Sequence, residues 1–445
     1  DARPILREEK FMDKMADVLG RAGAWCGQNK YLSAIKNAFQ NFMPLTIAGA
    51  IGVLWCNVLV NDQTGLGLFF KPIMALDFLN PAFQAVNFCT ISCITVGITL
   101  GIAQEIGVWN MGAEKAGYIP GLVGLAAWLS VTNTSHMVEG AKEAFTGIAG
   151  NELGATGLFT GMIIGVLSVE LFCFFEKQDA LKIKMPEQVP PGVARAFEVL
   201  VPATITLIIT ACIGSACYNL TGLYLNDVIK NGIQGPLGAV GATIPGVMII
   251  YLVIMLFWLV GIHGNNMLSA VKEALFTPLA LENVEKFNKG EKPTNIINMY
   301  ALQMWGEFGG SGVTIGLVIA IMIFGKREDN KAIATLSLVP GLFNINETVT
   351  FGVPMVLNPI LGIPFVVAPL ITIIIGYVLT VIGFCPVACL TVPWTTPPIV
   401  FGFLACGANV MGAVTQAILI VVSTVIYTPF LISYEKYQNK QAAEA

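Results

Sequence analysis

Residues 348–434 read TVTFGVPMVLNPILGIPFVVAPLITIIIGYVLTVIGFCPVACLTVPWTTPPIVFGFLACGANVMGAVTQAILIVVSTVIYTPFLISY, 87 consecutive positions between Glu347 and Glu435 without an Asp, Glu, Lys, Arg or His. A membrane-crossing helix takes about 20 apolar residues, so this run has room for three or four crossings. Outward from it, further ionisable-free stretches occupy 37–61, 78–104, 116–135, 199–226, 231–262 and 308–325, with a shorter one at 153–169. The spacing predicts an all-α, polytopic membrane protein. A single signal peptide cannot produce it, and residues 1–36 are too charged to be one.

Composition agrees. Of 445 residues, 55% are hydrophobic and 12% charged, with mean hydropathy +0.73. A soluble domain carries about 25% charged residues, enough to cover its surface; this chain does not. A net charge of −4 supplies no basic field for a nucleic-acid partner. The ten cysteines are scattered through apolar stretches, and neither Cys89 with Cys93 nor Cys385 with Cys389 has further ligands nearby in sequence. They read as reduced, buried side chains, with no metal or bound cofactor expected.

Positive charge predicts the organisation. Arg3, Arg7, Lys10, Lys14, Arg21, Lys30 and Lys36 precede the first long apolar run. Residues 1–36 are therefore expected as a cytoplasmic, interfacial amphipathic segment, and 436–445 as a cytoplasmic tail. An even number of crossings follows, in a multi-pass membrane protein. The polar, proline-containing stretch around 181–200 reads as an amphipathic linker between an amino-terminal half, 37–180, and a carboxy-terminal half, 201–435. Gly and Pro repeatedly interrupt the second half, at Gly235-Pro236, Gly309-Gly310, Pro340, Pro354, Pro386 and Pro393–Pro398 among others. Unwound backbone at membrane depth needs shelter from protein or a water-filled cavity. Broken or re-entrant segments around a polar cavity satisfy that need, as in many transporter sites.

Three motifs supply polar chemistry in this half. His263 and Asn265 stand in Gly261-Ile262-His263-Gly264-Asn265-Asn266, which offers donors and acceptors suited to sugar hydroxyls; a helix-end contact explains His263 equally well. Glu347, in Asn344-Ile345-Asn346-Glu347, borders the long uncharged run. An unpaired carboxylate in apolar surroundings costs several kcal/mol, so it should face a cavity, orienting or deprotonating a hydroxyl, unless it marks a water-exposed loop. Trp394 and Thr395, in Pro393-Trp394-Thr395-Thr396-Pro397-Pro398, offer an indole face to a pyranose ring or an interfacial anchor. Gln303, Trp305 and Glu307 fit a cavity lining or a solvent loop, Asn409 and Gln416 fit helix cross-links, and His136 reads as packing. No phosphate-binding Gly-Lys-Ser/Thr loop and no series of membrane arginines is present, which disfavours an ATP-driven pump and a voltage sensor.

At these three motifs, and at Ile183–Pro191 with Ala194–Phe197, the chain resembles membrane component IIC of the lactose/cellobiose family of bacterial sugar phosphotransferase systems. The resemblance covers nearly the whole chain; Thr348 departs from it, where the family commonly has proline. It implies a homodimer of protomers with about ten transmembrane helices, re-entrant hairpins, an amino-terminal scaffold and dimerisation domain, and a carboxy-terminal substrate-binding transport domain. It also implies a β-linked disaccharide of the chitobiose, cellobiose or lactose type, phosphorylated at its 6-hydroxyl by the phosphocysteine of a separate component IIB. By motif matching, His263 and Glu347 act at that hydroxyl as the catalytic pair, Trp394 stacks on the sugar, and Asn265, Asn344, Asn346 and Thr395 complete the sugar-binding set. An ion- or proton-coupled sugar symporter is the rival reading, and a membrane enzyme without transport a third.

Overall fold

A computed structural model describes residues 18–26, 28–62, 66–136, 145–186, 188–236 and 241–444. The first 17 residues of the expected interfacial segment lie outside them. The amino-terminal half is a bundle of α1 (Lys30–Leu54), α2 (Ile94–Met111), α3 (Ile119–Val131) and α4 (Ala155–Glu176), and α5 (Pro191–Thr221), which starts in the expected linker and runs into the second half, packs on α3 and α4. The second half contains α6 (Ile244–Leu259), α7 (Ser269–Asn288), α8 (Met299–Gly306), α9 (Ile315–Phe324), α10 (Glu328–Leu342), α11 (Gly362–Val381) and α12 (Val410–Glu444). One two-residue antiparallel pairing, Ser135–His136 with Phe145–Thr146, is the β-structure among the described residues, and His136 packs there on Phe145 at 5.6 Å.

Small residues let the first bundle close. α2 packs on α1, α3 and α4. Gly161 of α4 faces α2 so closely that an added Cβ would lie 2.2 Å from the Thr99 hydroxyl oxygen. Close backbone approach of this kind is how helices associate where lipid removes the hydrophobic drive between them. A charged corner fixes the end of the bundle. Glu176, 1% exposed, takes Arg195 at 3.0 Å and Lys115 at 2.9 Å, so the end of α4 is pinned to the start of α5. The two halves meet where α7 packs against α1 and α4.

The expectation of about ten crossings with re-entrant hairpins is corrected. Among the described residues six helical segments are long and apolar enough to cross a bilayer, or seven if the pair Met299–Val313 and Ile315–Phe324, bent by 59°, is one span. Among the described residues no re-entrant hairpin is identified. The physical reason is that freedom from charge does not guarantee helix length. Within 348–434 only α11 and α12 are long; residues 382–399 are largely irregular, because glycines and prolines break the ladder. Elsewhere α3 and α6 are apolar but only 13 and 16 residues long.

Substitution of Gly161 by Val should force α2 and α4 apart. Thermal unfolding in detergent is expected to register a loss of about 1–3 kcal/mol, because Thr99 is fully buried and has nowhere to yield.

Candidate functional site

Three irregular segments converge in the second half. The first follows α8, where Gly309, Gly310 and Gly312 all have positive φ. Gly310 is required by contact as well as conformation, since a Cβ there would lie 2.6 Å from that of Asn346. The second is the turn after α10, and the third is the proline-rich 393–398 segment. Asn344 joins all three. It has φ 64°, a left-handed conformation that asparagine tolerates better than most residues. Its side-chain oxygen accepts the Gly309 N–H at 2.6 Å, and its amide donates to the carbonyls of Trp394 at 2.5 Å and Thr396 at 3.0 Å. Asn346, 4% exposed, donates to the Ser311 carbonyl at 2.8 Å and to the Thr350 hydroxyl at 3.1 Å. Behind them, Gln416 of α12 accepts the N–H groups of Ile399 and Gly402 and donates to the Met304 carbonyl.

These clasps surround a cavity of about 360 Å³ whose lining includes His263, Asn265, Asn344, Asn346, Glu347 and Trp394. Glu347 begins the short helical turn Glu347–Gly352, and His263 caps the turn Gly264–Met267. The His263 Nδ1 accepts the Asn266 N–H at 3.2 Å, so the neutral ring carries its proton on Nε2. That Nε2 lies 3.9 Å from the nearer Glu347 oxygen, with Trp258 packed on the imidazole at 4.4 Å. The gap is too long for a direct hydrogen bond and leaves a bridging position for one hydroxyl, which would accept from Nε2–H and donate to the carboxylate. Burial holds the His263 pKa below its ordinary value of 6.5, with the Glu347 carboxylate opposing that shift. Trp394 is 45% exposed, its ring at the edge of the cavity. Asn265 donates to the Ser311 hydroxyl at 3.1 Å, while its side-chain oxygen is buried without a partner.

Not every expected sugar ligand keeps free hydrogen-bonding groups. The Asn344 and Asn346 amides are committed to backbone and Thr350, and Thr395 is not part of the lining. Glu307 and Gln303 do line the cavity, whereas Trp305 is a core residue, 1% exposed. The sequence reading missed Lys272 and Tyr251. Lys272, 6% exposed on α7, pairs with Glu307, which also accepts the Tyr251 hydroxyl at 2.7 Å. The available signal was the charged pair Lys272-Glu273, nine and ten residues after His263. Among the described residues no cluster of three or more His, Cys, Asp or Glu side chains is arranged to hold a metal ion.

Residues 36–369 match the family model "Phosphotransferase system, EIIC". The chain belongs to that family. It is therefore a membrane permease component of a sugar phosphotransferase system. Over 96% of its length it is 32% identical to the oligo-beta-mannoside-specific EIIC component of Bacillus subtilis (strain 168), covering 94% of that protein. Over 96% of its length it is 29% identical to the cellobiose-specific EIIC component of Lactococcus lactis subsp. lactis (strain IL1403), covering 98% of it. The crystal structure of the transporter ChbC, the IIC component from the N,N'-diacetylchitobiose-specific phosphotransferase system, superposes with TM-score 0.86 at 29% identity. That match covers 94% of this EIIC chain and 97% of that one.

Two outcomes test the site's construction. Asn344→Gly keeps the left-handed backbone and deletes the clasp, so thermal stability in detergent should fall by about 1–3 kcal/mol. For His263, the unfolded chain binds a proton more readily than the folded one, so stability rises with pH. The contribution is complete above about pH 6.5 and is lost as pH falls through the lower folded value. Thermal unfolding followed from about pH 7.5 to about pH 5 should show a decline that is smaller in His263→Gln.

Proposed function

We propose that this EIIC permease binds a β-linked disaccharide, of the diacetylchitobiose, cellobiose or lactose class, in the cavity shared by His263 and Glu347. There it presents the sugar's terminal 6-hydroxyl to a phosphocysteine on component IIB at the cytoplasmic face. The observation that carries this reading is the 3.9 Å separation of the His263 Nε2 and the Glu347 carboxylate across a cavity that Trp394 also lines. Neutral sugar hydroxyls exchange water for these donors and acceptors, and an indole face covers the apolar C–H face of a pyranose. Support also comes from the sugars named for the similar EIIC components, oligo-beta-mannoside, cellobiose and N,N'-diacetylchitobiose, all β-linked.

In the transfer step, the sugar 6-oxygen forms a bond to phosphorus as the S–P bond to cysteine breaks. The thiolate leaves with the electron pair, and the hydroxyl proton passes to the Glu347 carboxylate. His263 donates from Nε2 to the same oxygen and holds it in line with the phosphoryl group, so catalysis is mainly positioning. Once Glu347 passes that proton on to water, its restored carboxylate repels the transferred phosphoryl charge, which favours release inward. In this reading the working unit is a homodimer with both termini cytoplasmic. Residues 37–180 form its scaffold, and 201–435 carry the sugar.

Glu347→Gln preserves shape and removes the proton acceptor. With phosphorylated IIB and vesicles containing the folded variant, sugar phosphate formation should fall by roughly 100-fold or more. A wild-type rate would overturn the assignment of Glu347. Uphill sugar accumulation by the wild-type chain on a proton gradient, without IIB, would instead establish ion-coupled symport.

A further inference from the structure

The cavity holding Glu347 continues into a second compartment of about 230 Å³, and Gln40, Gln303 and Trp394 line both. His263 and Glu347 belong to the first compartment alone. The second has a carboxylate of its own, Glu273 on α7. The Thr277 hydroxyl, one turn further along, donates to Glu273 Oε2 at 2.5 Å. Among the described residues no ion pair engages this carboxylate, unlike Glu307, which Lys272 neutralises. Lys36 of α1 also lines this compartment, and among the described residues it forms no ion pair with Glu273; the neighbouring hydroxyls are already used. The Tyr300 and Thr391 hydroxyls bond each other at 2.6 Å, and Ser269 donates to the Asn266 carbonyl. The remaining wall is largely apolar, with Met43, Ile47, Met299 and Val392.

A carboxylate oxygen left facing such a compartment is an unfilled acceptor. It is satisfied by water or by a ligand rich in hydroxyl donors. The junction decides between them. Trp394 stands between the compartments with its ring partly exposed, flanked by Gln40 and Gln303, whose side-chain amides have no hydrogen-bond partner among the described residues. An aromatic face with two free amides at a neck between two chambers that each hold a carboxylate fits a glycosidic linkage, with one ring on either side.

We propose that the second compartment is a separate sugar subsite in which Glu273 accepts hydrogen bonds from the hydroxyls of the ring linked to the one being phosphorylated. Glu273 is thus a specificity-determining residue for that second ring. The two carboxylates divide the substrate. Glu347 addresses the reacting ring, and Glu273 addresses the ring that identifies the disaccharide. This inference rests on the proposed sugar site around Glu347 and adds the recognition of the second ring to it.

The test compares a disaccharide with the methyl β-glycoside of its reacting ring, a single-ring ligand, by calorimetry on purified wild type, Glu273→Gln and Glu347→Gln. Glu273→Gln should weaken the disaccharide by roughly 10-fold or more and leave the single-ring ligand within about twofold, whereas Glu347→Gln should weaken both. Unchanged disaccharide affinity in Glu273→Gln, or equal weakening of both ligands, would overturn the subsite. If Glu347→Gln changed neither ligand while Glu273→Gln acted selectively, the reading of the first compartment would fail and the second-ring role would stand. Should Glu273→Gln fail to fold, Glu273→Asp provides the same comparison, because its carboxylate is withdrawn by one methylene. Selective weakening of the disaccharide supports the subsite, and indifference to ligand length overturns it.

Discussion

Backbone that leaves the helix inside an apolar medium has to find new hydrogen-bond partners, and the second half of this permease is organised by how it finds them. Each break exposes N–H and C=O groups that water cannot reach, at a cost of several kcal/mol apiece if left unpaired. Side-chain amides and hydroxyls fill that role here. Asn344 ties three breaks together, Gln416 ties a fourth position to α8, and the Tyr427 hydroxyl holds the Gly312 carbonyl at 2.8 Å. Asn283 and Asn298, both fully buried, each donate to the Ala388 carbonyl. The breaks are therefore rigid. Rigidity is what allows His263, Glu347 and Trp394, contributed by three separate segments, to face one another at fixed distances.

Charge is distributed by the same constraint. Away from the cavity, buried acids are answered locally: Glu176 by Arg195 and Lys115, and Glu435 by the N–H groups of Lys326 and Arg327 and the Asn330 amide. Glu307 lies at the cavity wall but is answered by Lys272 and Tyr251. Among the described residues Glu347 meets only an imidazole, 3.9 Å away and held towards its neutral form by burial. That leaves it the one acid of the first compartment with its acceptor capacity unspent on a cation. A hydroxyl entering between the two groups completes both.

The membrane character of the chain was legible in the spacing of its charges, whereas the grouping of His263, Glu347 and Trp394 rested on the family resemblance of their motifs, because each residue alone also fitted a loop, a helix end or an interfacial anchor. The number of crossings was not legible. Composition reports which segments avoid charge, and the loops at 382–399 avoid it as thoroughly as α11 does. Asparagine was equally ambiguous: the same amide suits a sugar hydroxyl or an orphaned carbonyl, and Asn344 and Asn346 are committed to the backbone. Lys272 was hidden for a related reason. A charged residue on a mixed helix reads as solvent-facing until its partner Glu307, 35 positions away in sequence, is brought beside it.

The origin of the cavity walls constrains how the permease can move. His263, Glu347, Trp394 and their clasps all belong to the carboxy-terminal half, cross-linked into one unit by hydrogen bonds between distant segments. To the lining of the first compartment the amino-terminal bundle supplies only Gln40, from α1, whereas Met43 and Ile47 of α1 help wall the second. Opening the site along its Asn344 seam would break three hydrogen bonds to backbone; along α1 no hydrogen bond of the Gln40 side chain with a described residue stands in the way. Sliding the intact carboxy-terminal unit past α1 is thus the less costly route to alternating access. In the proposed reading such a movement carries His263 and Glu347 together, so a hydroxyl held between them stays oriented whichever side the cavity faces.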